Sequence, residues 1–138
     1  MARDKHAIYM EMALVLSKLS TCVRRNVGCI IVDQNSHILA TGYNGVPRGH
    51  SHCTDSPCGG AGYASGLSLN LCEAIHAEQN ALIQCKDSMA VHTIYTTTFP
   101  CEHCLKMIAN TGCKRVFYSS DYPTPLKLSA YNIEFTKI

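Results

Sequence analysis

The sequence predicts an α/β protein: three α/β/α layers around a mixed central sheet of about five strands. Three observations carry that prediction. Helical and strand-like stretches alternate along the chain. A continuous β-branched run near the start suits a strand buried on both faces. The later strands are separated by helix-length segments, as parallel crossovers require.

Each element follows from its local pattern. Residues 4–19 (DKHAIYMEMALVLSKL) carry apolar side chains at Ile8, Met12, Val15, Leu16 and Leu19, the spacing of a helix with one buried stripe, and Asp4 suits its N-cap. Residues 27–33 (VGCIIVD) read as a central strand. Gln34, Asn35 and Ser36 make a turn, and residues 37–42 (HILATG) return antiparallel. Residues 43–72 form a long loop that holds most of the glycines, together with Cys53, Cys58 and Cys72. A loop of that length in a small protein usually has a function. Residues 76–85 (HAEQNALIQC) are helical, with Ala77, Ala81 and Leu82 available for packing. Residues 92–98 (HTIYTTT) form a β-branched strand, and Pro100, at or just before the first helical position, opens a helix over 101–110 that Gly112 closes. Residues 114–119 (KRVFYS) and 131–136 (YNIEFT) are the last strands, the second of them at an edge. This order predicts a hairpin first, then right-handed parallel crossovers.

With 138 residues the chain suits one domain, 1–138, around one core. Apolar residues make up 46% and charged residues 16%, which excludes a disordered chain. No run approaches roughly 20 apolar residues, so no membrane span is expected. The start, MARDKHAIYM, has no apolar core of a signal peptide, and the expected location is cytoplasmic. The net charge is +2 with scattered Lys and Arg, which argues against a nucleic-acid polymer as partner. Nine cysteines, an odd number, argue against a disulfide framework and for buried thiols or metal ligands.

Three ligands can be named. His76 stands at the first turn of one predicted helix, and Cys101 and Cys104 stand at i and i+3 of another, so both sulfurs emerge on one face. The helix N-terminus lowers the thiol pKa and favours thiolate, the form that binds zinc. One imidazole and two thiolates leave the fourth position of Zn2+ open to water, the pattern of a catalytic site. Glu78, two residues past His76, lies too far round the helix to be a ready ligand, but can accept a proton from that water. His-x-Glu at a helix start, then a strand, then Pro-Cys-x-x-Cys opening the next helix, is the signature of zinc deaminases of nucleobases. A structural zinc that uses His103 is the competing reading of the CEHC segment.

With these residues in hand, His76-Ala77-Glu78 and Pro100-Cys101-Glu102-His103-Cys104 resemble the cytidine deaminase superfamily. Residues 41–49 (TGYNGVPRG), together with 24–28 (RRNVG), His52-Cys53 and 74–81 (AIHAEQNA), look like the deoxycytidylate (dCMP) deaminase family, and the resemblance runs from about residue 5 to the C-terminus. It implies the cytidine deaminase-like fold and hydrolytic deamination of dCMP to dUMP and ammonia, supplying dUMP for dTTP synthesis. It implies substrate contacts from Asn44 to the sugar, from Arg24 and Arg25 to the 5′-phosphate, and from Ala77. The sequence leaves open which arginine points inward. It also leaves open whether Tyr118 stacks on the base, bonds the phosphate or belongs to the core. The resemblance further implies a homohexamer activated by dCTP and inhibited by dTTP, with Mg2+ accompanying the triphosphate. The effector site would lie near Gly42, Tyr43, Asn44 and Gly45. Some members of the family carry a second, structural zinc, for which Cys22, Cys53, Cys58 and Cys72 are candidates here. Cys29, Cys85 and Cys113 are expected in the core. The alternatives are another deaminase of the superfamily, acting on cytidine, dCTP or tRNA adenosine, and a non-catalytic zinc-binding module.

Overall fold

The computed structural model describes residues 3–52, 62 and 74–138. Helix α1 spans Lys5–Ser17, strand β1 Gly28–Val32, β2 Ile38–Tyr43, helix α2 Ala77–Gln84, β3 Thr93–Thr98, helix α3 Glu102–Ala109, β4 Arg115–Ser120 and β5 Glu134–Lys137. Two short 3-10 turns, Ser88–Ala90 and Leu128–Ala130, were not expected from the sequence.

The strands form one sheet in the order β2-β1-β3-β4-β5. β1 runs antiparallel to both β2 and β3, and β3, β4 and β5 are mutually parallel. Every residue of β1 and β3 is buried, as expected of strands with neighbours on both sides and helices on both faces. Alternation along the strands divides the core in two. On one face Cys29, Ile31, Ile94 and Val116 pack with Ala77 and Ala81 of α2 and Ile108 of α3. On the other, Ile30, Val32, Tyr95 and Phe117 pack with Met10 and Ala13 of α1. Helices therefore cover both faces of a mixed five-stranded sheet, the predicted architecture. Cys29 and Cys113 lie in the core, and Cys85 packs against its margin.

The face that α1 buries differs from the prediction. The expected stripe of Ile8, Met12, Val15 and Leu19 points outward, with Ile8 at 55% and Val15 at 62% exposure; of the predicted set only Leu16 packs inward. The buried stripe runs through His6, Tyr9, Met10 and Ala13, one residue round the helix. Its cause lies in β1. A Cβ on Gly28 would sit 1.9 Å from the Ala13 carbonyl oxygen, so α1 crosses the sheet in direct backbone contact and only a small side chain fits beneath it. His6 then stacks on Phe117 and Tyr9 packs at a tilt on Tyr95, with ring centroids 4.4 and 5.1 Å apart. The N-cap was read correctly, since the Asp4 carboxylate accepts from the Ala7 N–H at 3.2 Å.

Gly42 does for α2 what Gly28 does for α1. A Cβ there would lie 2.2 Å from the Ala77 carbonyl oxygen, so the first turn of α2 rests on β2. The start of β1, the ends of β2, β3 and β4, and the N-termini of α2 and α3 thus meet at one end of the sheet. Crevices beyond the carboxyl ends of parallel strands are where α/β proteins bind ligands.

Candidate active site

His76 is the N-cap of α2, in extended backbone, and its N–H donates to Gln79 Oε1 at 2.9 Å. Cys101 is the N-cap of α3, with Pro100 just before it, and Cys104 lies one turn on with its side chain fully buried. Imidazole Nδ1 of His76 stands 3.2 Å from Cys104 Sγ and 3.4 Å from Cys101 Sγ. Among the described residues these three form a cluster able to hold a metal ion, their ligand atoms all within 4.8 Å of one another.

The electrostatics of the cluster suit a soft divalent cation. A hydrogen bond from the Cys104 thiol is the largest influence holding Cys101 down at about 4. The same bond, with burial, pushes Cys104 up. The bond with Cys101 raises His76 above the usual imidazole range. The imidazole and the two sulfurs thus compete for protons at short contact. Such protons are what a bound cation displaces. Soft sulfur donors and one imidazole at this spacing fit zinc.

Glu78 follows in the first turn of α2 and is 4% exposed. Burial is the largest influence raising its pKa. The Thr96 hydroxyl lies 3.4 Å from Glu78 Oε1 and donates to the Thr98 carbonyl at 3.0 Å. A buried carboxyl beside a metal-competent cluster, raised towards neutrality, is the chemistry of a proton carrier.

His76 and Cys101 of the cluster, with Glu78, line a cavity that opens to solvent. Its walls include Arg24, Arg25, Asn44 and Ala77, all named from the sequence as substrate contacts. Both arginines reach it. Nη1 of Arg25 is buried and, among the described residues, has no hydrogen-bond partner. The Asn44 carboxamide accepts from the Val27 N–H at 2.9 Å and donates to the Arg25 carbonyl at 2.7 Å. Among the described residues, one Asn44 N–H and one lone pair remain for a ligand.

Of the three readings of Tyr118, packing is the one the structure fits: it is not in the cavity wall but packs edge-to-face against Phe99, centroids 4.9 Å apart, and it is Phe99 that lines the cavity. The tyrosine in the wall is Tyr122, which the sequence reading missed. Its place just beyond a parallel strand was the available signal. Thr96 was missed because a threonine inside a β-branched strand is indistinguishable from its neighbours.

Of the residues named for an effector, Gly42 is buried beneath α2, Tyr43 is exposed with its carbonyl accepting from Asn80 Nδ2 at 2.8 Å, and Gly45 pairs with Ile75 in an isolated antiparallel bridge. Cys22 is buried and lines the same cavity. Its proposed companions Cys53, Cys58 and Cys72 lie outside the described residues.

A family profile, the cytidine and deoxycytidylate deaminase zinc-binding region, matches residues 3–120. The deoxycytidylate deaminase of Schizosaccharomyces pombe is 40% identical over 83% of this chain, which spans 36% of that protein's length. The chain likewise spans 59% of the ComE operon protein 2 of Bacillus subtilis, at 38% identity. The deoxycytidylate deaminase of Mycobacterium phage D29 is 34% identical over 86% of this chain and 96% of its own. Among solved structures, the dCMP deaminase of cyanophage S-TIM5 in apo form is 33% identical with a TM-score of 0.77, covering 100% of both chains. The fold is accordingly the cytidine deaminase-like one that the motifs implied, and the His76, Cys101 and Cys104 cluster lies within the matched region. On that match and that cluster, the chain belongs to the cytidine and deoxycytidylate deaminase family.

Proposed function

We propose that residues 1–138 form a single zinc-dependent deaminase domain that hydrolyses dCMP to dUMP and ammonia. The observation that carries the reading is one cavity with a metal-competent cluster and buried Glu78 at its floor and the unpartnered Nη1 of Arg25 in its wall. His76, Cys101 and Cys104 would hold Zn2+, which supplies Lewis-acid activation of water near neutral pH. Glu78 accepts the proton of the attacking water and delivers it to the ring nitrogen beside the amino-bearing carbon; it then takes the remaining proton of the added hydroxyl and passes it to the amino group, which leaves as ammonia. Ala77 bounds the base. Asn44, with one N–H to spare, hydrogen-bonds the sugar. Arg25, with Arg24 beside it, takes the 5′-phosphate, to which a guanidinium fork can donate two hydrogen bonds. The cyanophage relative's structure in complex with dCMP and dUMP, 31% identical with a TM-score of 0.75, supports this choice of substrate.

By the same resemblance we propose a cytoplasmic homohexamer with dCTP as activator and dTTP as inhibitor, Mg2+ accompanying the triphosphate. The effector would lie near Tyr43, Asn44 and Gly45, with Gly42 supporting the loop from beneath α2. A second structural zinc at Cys22, Cys53, Cys58 and Cys72 belongs to this reading. Metal analysis near two zinc per chain supports it, and a value near one counts against it.

The test is to assay the zinc-loaded chain on dCMP, deoxycytidine, cytidine and dCTP side by side. The expected result is the highest kcat/KM on dCMP. A preference for a nucleoside would overturn the phosphate assignment, and a zinc-bound protein inert on all four would mark a binding module instead.

A further inference from the structure

Tyr122 lines the same cavity as the arginines, His76 and Cys101, in a stretch of the wall that no motif covers. The guanidinium of Arg25 lies over its ring, with Cζ 5.7 Å from the ring centroid. Within about 6 Å, that is the range of a cation–π contact. The Arg25 backbone is fastened as well, its carbonyl accepting from Asn44 Nδ2 at 2.7 Å. Yet Nη1 of the same guanidinium is buried and, among the described residues, has no hydrogen-bond partner. A long, flexible side chain is thus gripped at its base and at its head while a buried donor is left unused. The geometry of guanidinium explains how both can hold. A cation–π contact engages the positive carbon centre, whereas the N–H groups point outward in the guanidinium plane, so a ring can hold the group without consuming the donors that grip an anion. An unsatisfied buried donor is costly to keep, and a functional role, such as binding an ion, is one of the explanations for keeping it. Burial raises the Tyr122 hydroxyl above its ordinary range, so the ring brings no negative charge of its own at neutral pH.

We propose that Tyr122 is a positioning residue of the anion subsite: its ring holds Arg25 so that Nη1 is presented to the substrate's phosphate, which sets the preference for nucleotide over nucleoside. The inference rests on the dCMP reading and adds to it the element that makes Arg25 a preset donor. It makes the ring face the essential feature, and the hydroxyl dispensable.

The experiment measures KM and kcat for dCMP and deoxycytidine with the zinc-loaded chain, comparing wild type, Tyr122→Phe, Tyr122→Leu, Arg25→Ala and the double variant Arg25→Ala with Tyr122→Leu. Tyr122→Leu should raise KM for dCMP about five- to thirtyfold, the range of a partly desolvated cation–π contact. Its kcat for dCMP and its KM for deoxycytidine should stay within about twofold, and Tyr122→Phe should match wild type. The double variant should be no worse than Arg25→Ala alone, because a ring with no guanidinium to hold has nothing to contribute. Should Tyr122→Leu fail to fold, Tyr122→Met fills the space without a π face and takes its place. Equal losses on both substrates would overturn the proposal, as would a Phe variant as impaired as Leu or additive losses in the double variant. A wild type with equal kcat/KM on dCMP and deoxycytidine would instead sink the dCMP reading, and the subsite with it.

Discussion

The floor of the cavity and its mouth are assembled from different kinds of information. At the floor, His76 and Glu78 are two residues apart on the first turn of α2, and Cys101 and Cys104 are one turn apart at the start of α3. Each helix delivers two functional groups with fixed relative geometry, and only the docking of α2 and α3 on one face of the sheet remains to be set. At the mouth, Arg25 precedes β1, Asn44 follows β2 and Tyr122 follows β4. No two of these share an element, and they meet only because the sheet order β2-β1-β3-β4-β5 brings those strand ends together. The floor is therefore rigid and suited to chemistry. The mouth is built from connecting segments, which suits recognition.

If that division is right, damage at the floor should abolish turnover and damage at the mouth should redistribute substrate preference. The largest effect is expected from Cys104→Ala. Removing one of two fully committed sulfur donors should release the metal, with zinc analysis falling well below one per chain and deamination falling to background. A strong chelator applied to the wild type should do the same, and added zinc should restore it. Activity that survives in metal-free protein would break the floor's assignment altogether. Next comes Glu78→Gln, which keeps the shape but removes the proton carrier. Zinc content should be unchanged while kcat falls by roughly 10²- to 10⁴-fold or more. A smaller effect comes from the mouth. Arg25→Ala should raise KM for dCMP by roughly 10- to 200-fold, since a hydrogen bond to a charged group contributes roughly 1.5–3 kcal/mol. It should leave KM for deoxycytidine nearly unchanged. A fall in kcat for both substrates would erase the distinction between mouth and floor.

The same division explains what the sequence disclosed. His-x-Glu and Pro-Cys-x-x-Cys could be read because helix periodicity converts spacing into direction, and capping chemistry places both motifs at helix starts. The sheet could be read from the unbroken apolar run of β1 and the threonine-rich β3. The stripe on α1 could not, because two apolar stripes lie one residue apart on that helix. What chooses between them is the contact of Gly28 with Ala13, a fact about another element. Tyr122 was passed over, and Tyr118 was left open between base, phosphate and core, for a similar reason. Strand position alone does not say that Phe99 stands between Tyr118 and the cavity, and nothing periodic singles out a tyrosine in the segment after β4.

Thr96 tests whether the floor is as rigid as its local geometry suggests, and its effect should be the smallest. Its side chain is fully buried on β3, whose residue pairs with Cys29 of β1 and Tyr118 of β4, so neither backbone nor side chain has room to move. A hydroxyl carries one proton. It is shared between the Thr98 carbonyl at 3.0 Å and Glu78 Oε1 at 3.4 Å, the second being the longer contact. That contact helps hold the Glu78 carboxyl in the cavity wall. Thr96→Val removes the hydroxyl at nearly constant volume. It should lower kcat about two- to tenfold, the equivalent of one neutral hydrogen bond of about 0.5–1.5 kcal/mol, with KM little changed. Thr96→Ser keeps the hydroxyl and should recover most of the loss. If Ser and Val are equally impaired, the methyl group and its packing matter rather than the oxygen. Glu78 would then be held by α2 alone.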